Sequence, residues 1–239
     1  MNNSIQEENH MKMSKMVISE ILKDKKAVFF DMDGVLYDSM GAHADAWNNA
    51  FRFYGIDFPH EKVYENEGRT AQSTINLAYQ QNEQRNATEQ EIEQIYSKKT
   101  ELIDFLPDIV PFMGAKKLME YLKKQGIAIW VVTGSSQGKF LDALLDDFEG
   151  YVSADQVISG NHVKHGKPNP EPYLMALKKS GFKSTEVIVI ENAPLGIQSA
   201  IAAGIFTVAI NTGILDDSVL IDSGADLVFQ DWNELNSDI

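Results

Sequence analysis

The chain of 239 residues contains no cysteine. That absence excludes disulfides, thiol catalysis and cysteine-ligated zinc or iron–sulfur centres. Long apolar runs are missing too. The longest, Ile127 to Val132, is far below the ~20 residues that a membrane-spanning helix needs. The first residues, with Glu7, Glu8 and His10, lack the apolar stretch of a secretory signal. Positive charge is in short supply: 21 Lys and Arg stand against 35 Asp and Glu, a formal net charge of −14. A balance of that sign argues against nucleic acid or an anionic membrane surface as the main partner. The composition, 44% hydrophobic and 23% charged, suits a soluble globular protein, and a cytoplasmic one is expected. The length allows one large α/β domain, or a core with a smaller insert.

What is present has a clear rhythm. Ala27-Val28-Phe29-Phe30 reads as a buried strand, apolar on both faces as parallel sheets require. Similar strands recur at Ile127 to Val132, Val187 to Ile190, Phe206 to Ile210 and Leu227 to Phe229. Amphipathic helices are expected between them, at Ala115 to Lys124, Pro172 to Lys179 and Leu195 to Ala203. Gly126 and Gly204 follow two of these, where a helix C-terminus favours glycine. Alternation of this kind predicts a doubly wound parallel sheet. One interval breaks it. Between about Gly41 and Asp108 the pattern is helical only, strongest at His43 to Tyr54, Ala71 to Gln80 and Glu89 to Phe105. Thr88 and Glu91 have the spacing of a capping box. The expected organisation is a tail over 1–26, a core over 27–41 and 109–239, and an inserted α-helical cap domain over 42–108. Phe105-Leu106-Pro107-Asp108 is the expected return linker.

Four strand-end elements could carry chemistry. Asp31-Met32-Asp33-Gly34 follows the first strand, where two close carboxylates call for a cation or a shared proton. Thr133-Gly134-Ser135 follows the second, a hydroxyl and a glycine suited to phosphate oxygens. Lys167 is restrained between Gly166 and Pro168 ahead of a helix. Glu191-Asn192 ends a later strand. Singly, each has an ordinary alternative: solvated loop acids, a plain turn, a surface lysine.

Together and in this order the four resemble the motifs of the haloacid dehalogenase (HAD) superfamily, with the cap inserted as in its β-phosphoglucomutase-like subgroup. The resemblance covers about Ala27 to Phe229. It implies Asp31 as nucleophile, forming an aspartyl phosphate, and Asp33 as acid and base, for which a raised pKa is expected. It implies Thr133 and Lys167 on the transferring phosphoryl group, with Gly134 and Ser135 beside them. It implies Mg²⁺ as cofactor, with Asp31, Asp33, Glu191 and Asn192 as candidate ligands.

Two departures separate the chain from the mutases. Asn192 stands where an Asp is usual, removing one negative charge from the metal site. In the cap, Glu67-Gly68-Arg69 carries an acid where the mutases have a lysine. Glu67 is therefore expected to reach the metal, with Arg69 gripping an anionic group. His43 and Lys99 are further cap candidates for substrate contact, and Trp47 is expected in the cap's own core. The combination of Glu67, Arg69 and Asn192 is similar to that of HAD-type inorganic pyrophosphatases, so pyrophosphate is the favoured substrate. The alternatives are β-glucose 1-phosphate, isomerised to glucose 6-phosphate, and a sugar phosphate or phosphoglycolate that is hydrolysed. A non-catalytic binding module would be expected to lack Asp31 or Asp33, and both are present. The expected partner is a small phosphorylated molecule, and a monomer suits a cap that must move.

Overall fold

The computed structural model describes residues 17–103, 109–135 and 138–239. The expected linker at Phe105 to Asp108, the tail through residue 16 and the last two residues of the Glu89 to Phe105 stretch lie outside the described residues. A short helix α1 (Ile18–Ile21) leads into β1 (Ala27–Phe30). Four helices follow: α2 (Met40–Phe53), α3 (His60–Glu65), α4 (Ala71–Glu83) and α5 (Glu89–Ile103). The alternating part resumes with α6 (Met113–Gln125), β2 (Ala128–Val132), α7 (Gly138–Asp147), β3 (Val157–Ile158) and α8 (Glu171–Ser180). It continues through β4 (Val187–Glu191), α9 (Pro194–Ala202), β5 (Phe206–Ile210), α10 (Asp217–Asp222), β6 (Leu227–Phe229) and α11 (Trp232–Leu235).

All strand pairs are parallel, in the order β3-β2-β1-β4-β5-β6. The alternation along β1 shows why such a strand is apolar throughout. Val28 and Phe30 join a cluster with Ile129, Val131, Leu118 and Leu122 on one face. Ala27 and Phe29 join Trp130, Val132, Tyr173 and Ala200 on the other. Each large side chain so buried contributes roughly 1.5–3 kcal/mol. The helical insert has its own apolar cluster, built on Trp47, Phe51, Phe58, Ile75 and Ile95. Trp47 therefore sits in the core where it was expected, stacked on Phe51 with centroids 5.3 Å apart.

Strands and long helices fall within a few residues of their expected places. Gly126 takes the left-handed conformation (φ 71°) at the end of α6, which is why a glycine stands there. The sequence reading missed β3, α3, α7, α10 and α11. β3 has two residues, and α7 fully buries only Leu144, so neither leaves a periodic signal.

Candidate active site

The strand order reverses at β1 and β4, whose connections leave in opposite directions, and ligands bind open α/β sheets beyond the strand ends at such a switch point. Asp31 follows β1, and its backbone N–H extends the ladder to the Ile190 carbonyl at 3.0 Å. Glu191 closes β4, one residue before Asn192. Lys167, just ahead of α8, joins the two ends. Its Nζ lies 2.5 Å from Asp31 Oδ1 and 2.6 Å from Glu191 Oε1. The three side chains are 2%, 3% and 0% exposed for Lys167, Asp31 and Glu191, so water screens none of these contacts. Tyr173 also donates to Glu191 Oε1, at 2.7 Å, and the Asn192 N–H donates to Oε2 at 3.2 Å.

Negative groups outnumber positive ones here. Burial and the neighbouring Glu191 push Asp31 up to about 8, against the opposing pull of Lys167. Burial works against the Lys167 ammonium, yet Asp31, Glu191 and Glu67 hold it above its usual range. Burial and then Asp31 push Glu67 well above the ordinary carboxylate range. Glu67 thus lies within electrostatic range of the strand-end acids. The segment carrying it lies against the core at Gly68: a Cβ there would meet Lys167 Cδ at 2.9 Å, and a Cβ on Gly134 would meet the Gly68 carbonyl at 3.1 Å.

Asp33 belongs to a second network. Its Oδ1 accepts from Ser39 Oγ at 2.7 Å and lies 3.2 Å from His43 Nε2. His43 Nδ1 is 3.1 Å from Lys99 Nζ. An ammonium can only donate, so Nδ1 accepts and the Nε2–H faces Asp33. Burial raises the Asp33 carboxyl, but the His43 ring, the Ser39 hydroxyl and Lys99 together outweigh it and hold the group below its ordinary value. That corrects the expectation of a raised pKa: Ser39 and the helices α2 and α5 bring donor and cationic groups to Asp33 that a motif at a strand end does not reveal. Lys99 is not an ordinary surface lysine: it is 4% exposed, and burial lowers it to about 8 against Asp33 and Glu67. Its Nζ stands 5.5 Å from the Trp47 ring centroid.

A cleft of about 350 Å³ opens between these groups, with Asp33, His43, Glu67, Arg69, Lys99 and Ser135 on its walls. Arg69 is steered by Asn66 Oδ1 at 2.9 Å and Ser73 Oγ at 3.2 Å. Thr133 is buried, and its hydroxyl accepts the Ser135 N–H at 3.0 Å, which folds the loop back on itself. Gly134 also lines the cleft. Tyr173 and Ser39 were missed as site residues. A tyrosine six residues after the lysine was a usable signal, since a buried phenol needs a partner.

The expected metal ligands fit a divalent cation only in part. Among the described residues no three His, Asp or Glu side chains form a ready-made cage. Both Glu191 oxygens already have partners, and Asp33 has one on Oδ1, so Glu191 offers no free oxygen of the kind expected of it. Two buried oxygens are free: Asp31 Oδ2 and Asn192 Oδ1 have no hydrogen-bond partner. A hard cation that keeps several of its own waters needs few protein oxygens, and the cluster lacks positive charge.

The sequence matches the family described as haloacid dehalogenase-like hydrolase over residues 28–210. It is 31% identical over 188 residues to hexitol phosphatase A of Escherichia coli (strain K12), covering 78% of this chain and 83% of that one. It is 29% identical to a fructose-1-phosphate phosphatase of the same organism, covering 74% and 92%. A solved structure titled "Putative beta-phosphoglucomutase" from Bacteroides vulgatus superposes with a TM-score of 0.87 at 45% identity, covering 95% of each chain.

Proposed function

The chain belongs to the haloacid dehalogenase-like hydrolases, and on that premise we propose a Mg²⁺-dependent phosphohydrolase that transfers the phosphoryl group of a phosphorylated carbohydrate through Asp31 to water. The observation that carries this reading is Lys167, bound at 2.5 Å to the strand-end Asp31 while Asp31 Oδ2 is left without a partner. A carboxylate in that position can form the new P–O bond as the leaving oxygen departs. Asp33 is held low without substrate, so the role requires the arriving phosphate anion to raise it and let it take up a proton. It then gives that proton to the leaving oxygen and regains one from the water that attacks the aspartyl phosphate, so the two halves balance. Lys167 and the Thr133 loop hold the transferring group, and Lys167 screens the approach of two anions. Mg²⁺, when held by Asp31 and Asn192, would neutralise charge on the phosphoryl oxygens. The helical unit acts as the cap: Arg69 and Lys99 face the far end of the substrate, and Glu67 closes toward the strand-end acids.

The names of the relatives support carbohydrate phosphates better than the pyrophosphate favoured above. Pyrophosphate is kept as a second reading on one observation. Glu67 lines the cleft together with Asp33 and lies within electrostatic range of Asp31, an arrangement that suits a compact, metal-chelating anion. The test measures phosphate release in Mg²⁺ from hexitol phosphates, fructose 1-phosphate and pyrophosphate, with conversion of β-glucose 1-phosphate to glucose 6-phosphate in parallel. Preference for a carbohydrate ester supports the main reading. Preference for pyrophosphate replaces it with the second, and rapid isomerisation replaces both with a mutase.

A further inference from the structure

Tyr173, near the start of α8, is the bulkiest wholly buried side chain among the described residues. Apolar packing accounts for its ring but not for its hydroxyl, since phenylalanine would fill the same space without a buried O–H to satisfy. That hydroxyl donates to Glu191 Oε1 at 2.7 Å, the oxygen that also receives Lys167 Nζ at 2.6 Å. The ring lies beside the same ammonium, with Nζ 5.4 Å from its centroid. Tyr173 therefore touches Lys167 by its face and again through Glu191.

Lys167 has three donors to divide between Asp31 and Glu191, at 2.5 Å and 2.6 Å. The division decides where the ammonium stands relative to Asp31. A phenol on Glu191 Oε1 takes up part of that oxygen's accepting capacity and fixes the plane of the carboxylate. Both effects weaken Glu191's hold on the ammonium. The partner is a carboxylate oxygen, which accepts, so the hydroxyl is the donor. The rest of the carboxylate is fixed as well. Its Oε2 takes the Asn192 N–H, and Gly196 makes way for it, since a Cβ there would lie 2.0 Å from Oε1.

We infer that Tyr173 is a positioning residue for phosphoryl transfer: its hydroxyl, acting through Glu191, sets Lys167 against Asp31. The inference rests on the phosphohydrolase reading above. Tyr173→Phe keeps the ring and removes only the hydroxyl. Its kcat, KM and thermal unfolding are to be compared with wild type, alone and in a Glu191→Gln background, using a chromogenic phosphate monoester in Mg²⁺. The expected result is a fall in kcat of about tenfold, the worth of one hydrogen bond to a charged group, with KM within about twofold. In the Glu191→Gln background the same substitution should change kcat by less than about twofold, because its route to Lys167 is already altered. An unchanged kcat in folded Tyr173→Phe, or an equal loss in both backgrounds, overturns the inference. Should Tyr173→Phe not fold, a ring-fluorinated tyrosine at the same position keeps the packing and strengthens the donor. Its kcat must then differ from wild type, and identity overturns the inference. A readout independent of activity is the Nζ resonance of Lys167 in lysine-labelled protein, assigned by its loss in Lys167→Met. It should move in Tyr173→Phe, and an unmoved signal overturns the inference. If wild type turns over no phosphate compound, the phosphohydrolase reading fails while this resonance still decides the role of Tyr173.

Discussion

The two walls of the cleft are built on opposite principles. On the sheet side, Asp31, Lys167, Glu191 and Tyr173 are almost wholly buried, the two acids on backbone that β1 and β4 fix, the lysine just ahead of α8 and the tyrosine near its start. On the helical side, His43, Glu67 and Arg69 are partly exposed, and the partners of His43 and Arg69 come from helices, the loop between α3 and α4 and the strand-end Asp33. A fixed cluster suits the step that every substrate shares, and an adjustable wall suits the choice among substrates. Substitutions on the two sides should therefore fail differently.

The largest effect is expected at Asp31. Asp31→Asn keeps the shape but removes the nucleophile, and hydrolysis of any accepted phosphate compound should fall at least about a thousandfold. Residual turnover near wild type would mean that water attacks phosphorus directly. Next comes Lys167→Met, which leaves Asp31 and Glu191 buried without their cation. Urea unfolding should show a loss of about 3–5 kcal/mol, together with loss of activity. Unchanged stability would show that one of the two acids is already protonated in the native protein.

Across the cleft the losses should be selective. Glu67→Ala should leave carbohydrate phosphate turnover within about twofold and lower any pyrophosphate hydrolysis about tenfold, a difference of about 1.4 kcal/mol. A parallel loss on both substrates would place Glu67 with the fixed cluster. His43→Ala tests the second network through pH. Asp33 is held below its unfolded value, so its stabilising contribution is fully present above that value and is lost as pH falls through the folded one. Removing His43 raises the folded value, so acid unfolding and the limb of the kcat profile that Asp33 sets should both move to higher pH. A limb that stays put would exclude His43 as the group that holds Asp33 low.

The same division governs what the sequence discloses. A strand buried on both faces announces itself as Val187-Ile188-Val189-Ile190, and whatever follows it must lie at the sheet's edge, so Asp31, Thr133 and Glu191 could be placed from their neighbours alone. Lys167 was found by its restrained backbone, yet nothing in the chain said that it would bridge two acids. The network from Asp33 through His43 to Lys99 spans elements far apart in the chain, and only their packing creates it. For that reason the direction of the Asp33 shift was misjudged. Tyr173 was legible as an apolar helix residue and opaque as a donor, because its partner lies on β4, a separate element.

The smallest expected effect separates folding from chemistry on the helical side. Thr88 Oγ1 accepts the Glu91 N–H at 3.3 Å, and Glu91 Oε2 accepts the Thr88 N–H at 2.7 Å, the reciprocal cap that the spacing implied. This cap begins α5, whose buried face carries Ile95, Lys99 and Ile103. Thr88→Ala should cost about 1 kcal/mol by leaving a first-turn donor unsatisfied. Lys99 lies nearly three turns further on, beyond the reach of fraying at the first turn. Thermal unfolding should therefore show the loss while kcat and KM stay at wild-type values. A change in KM would mean that the start of α5 and the position of Lys99 are coupled, and that the adjustable wall moves as one piece.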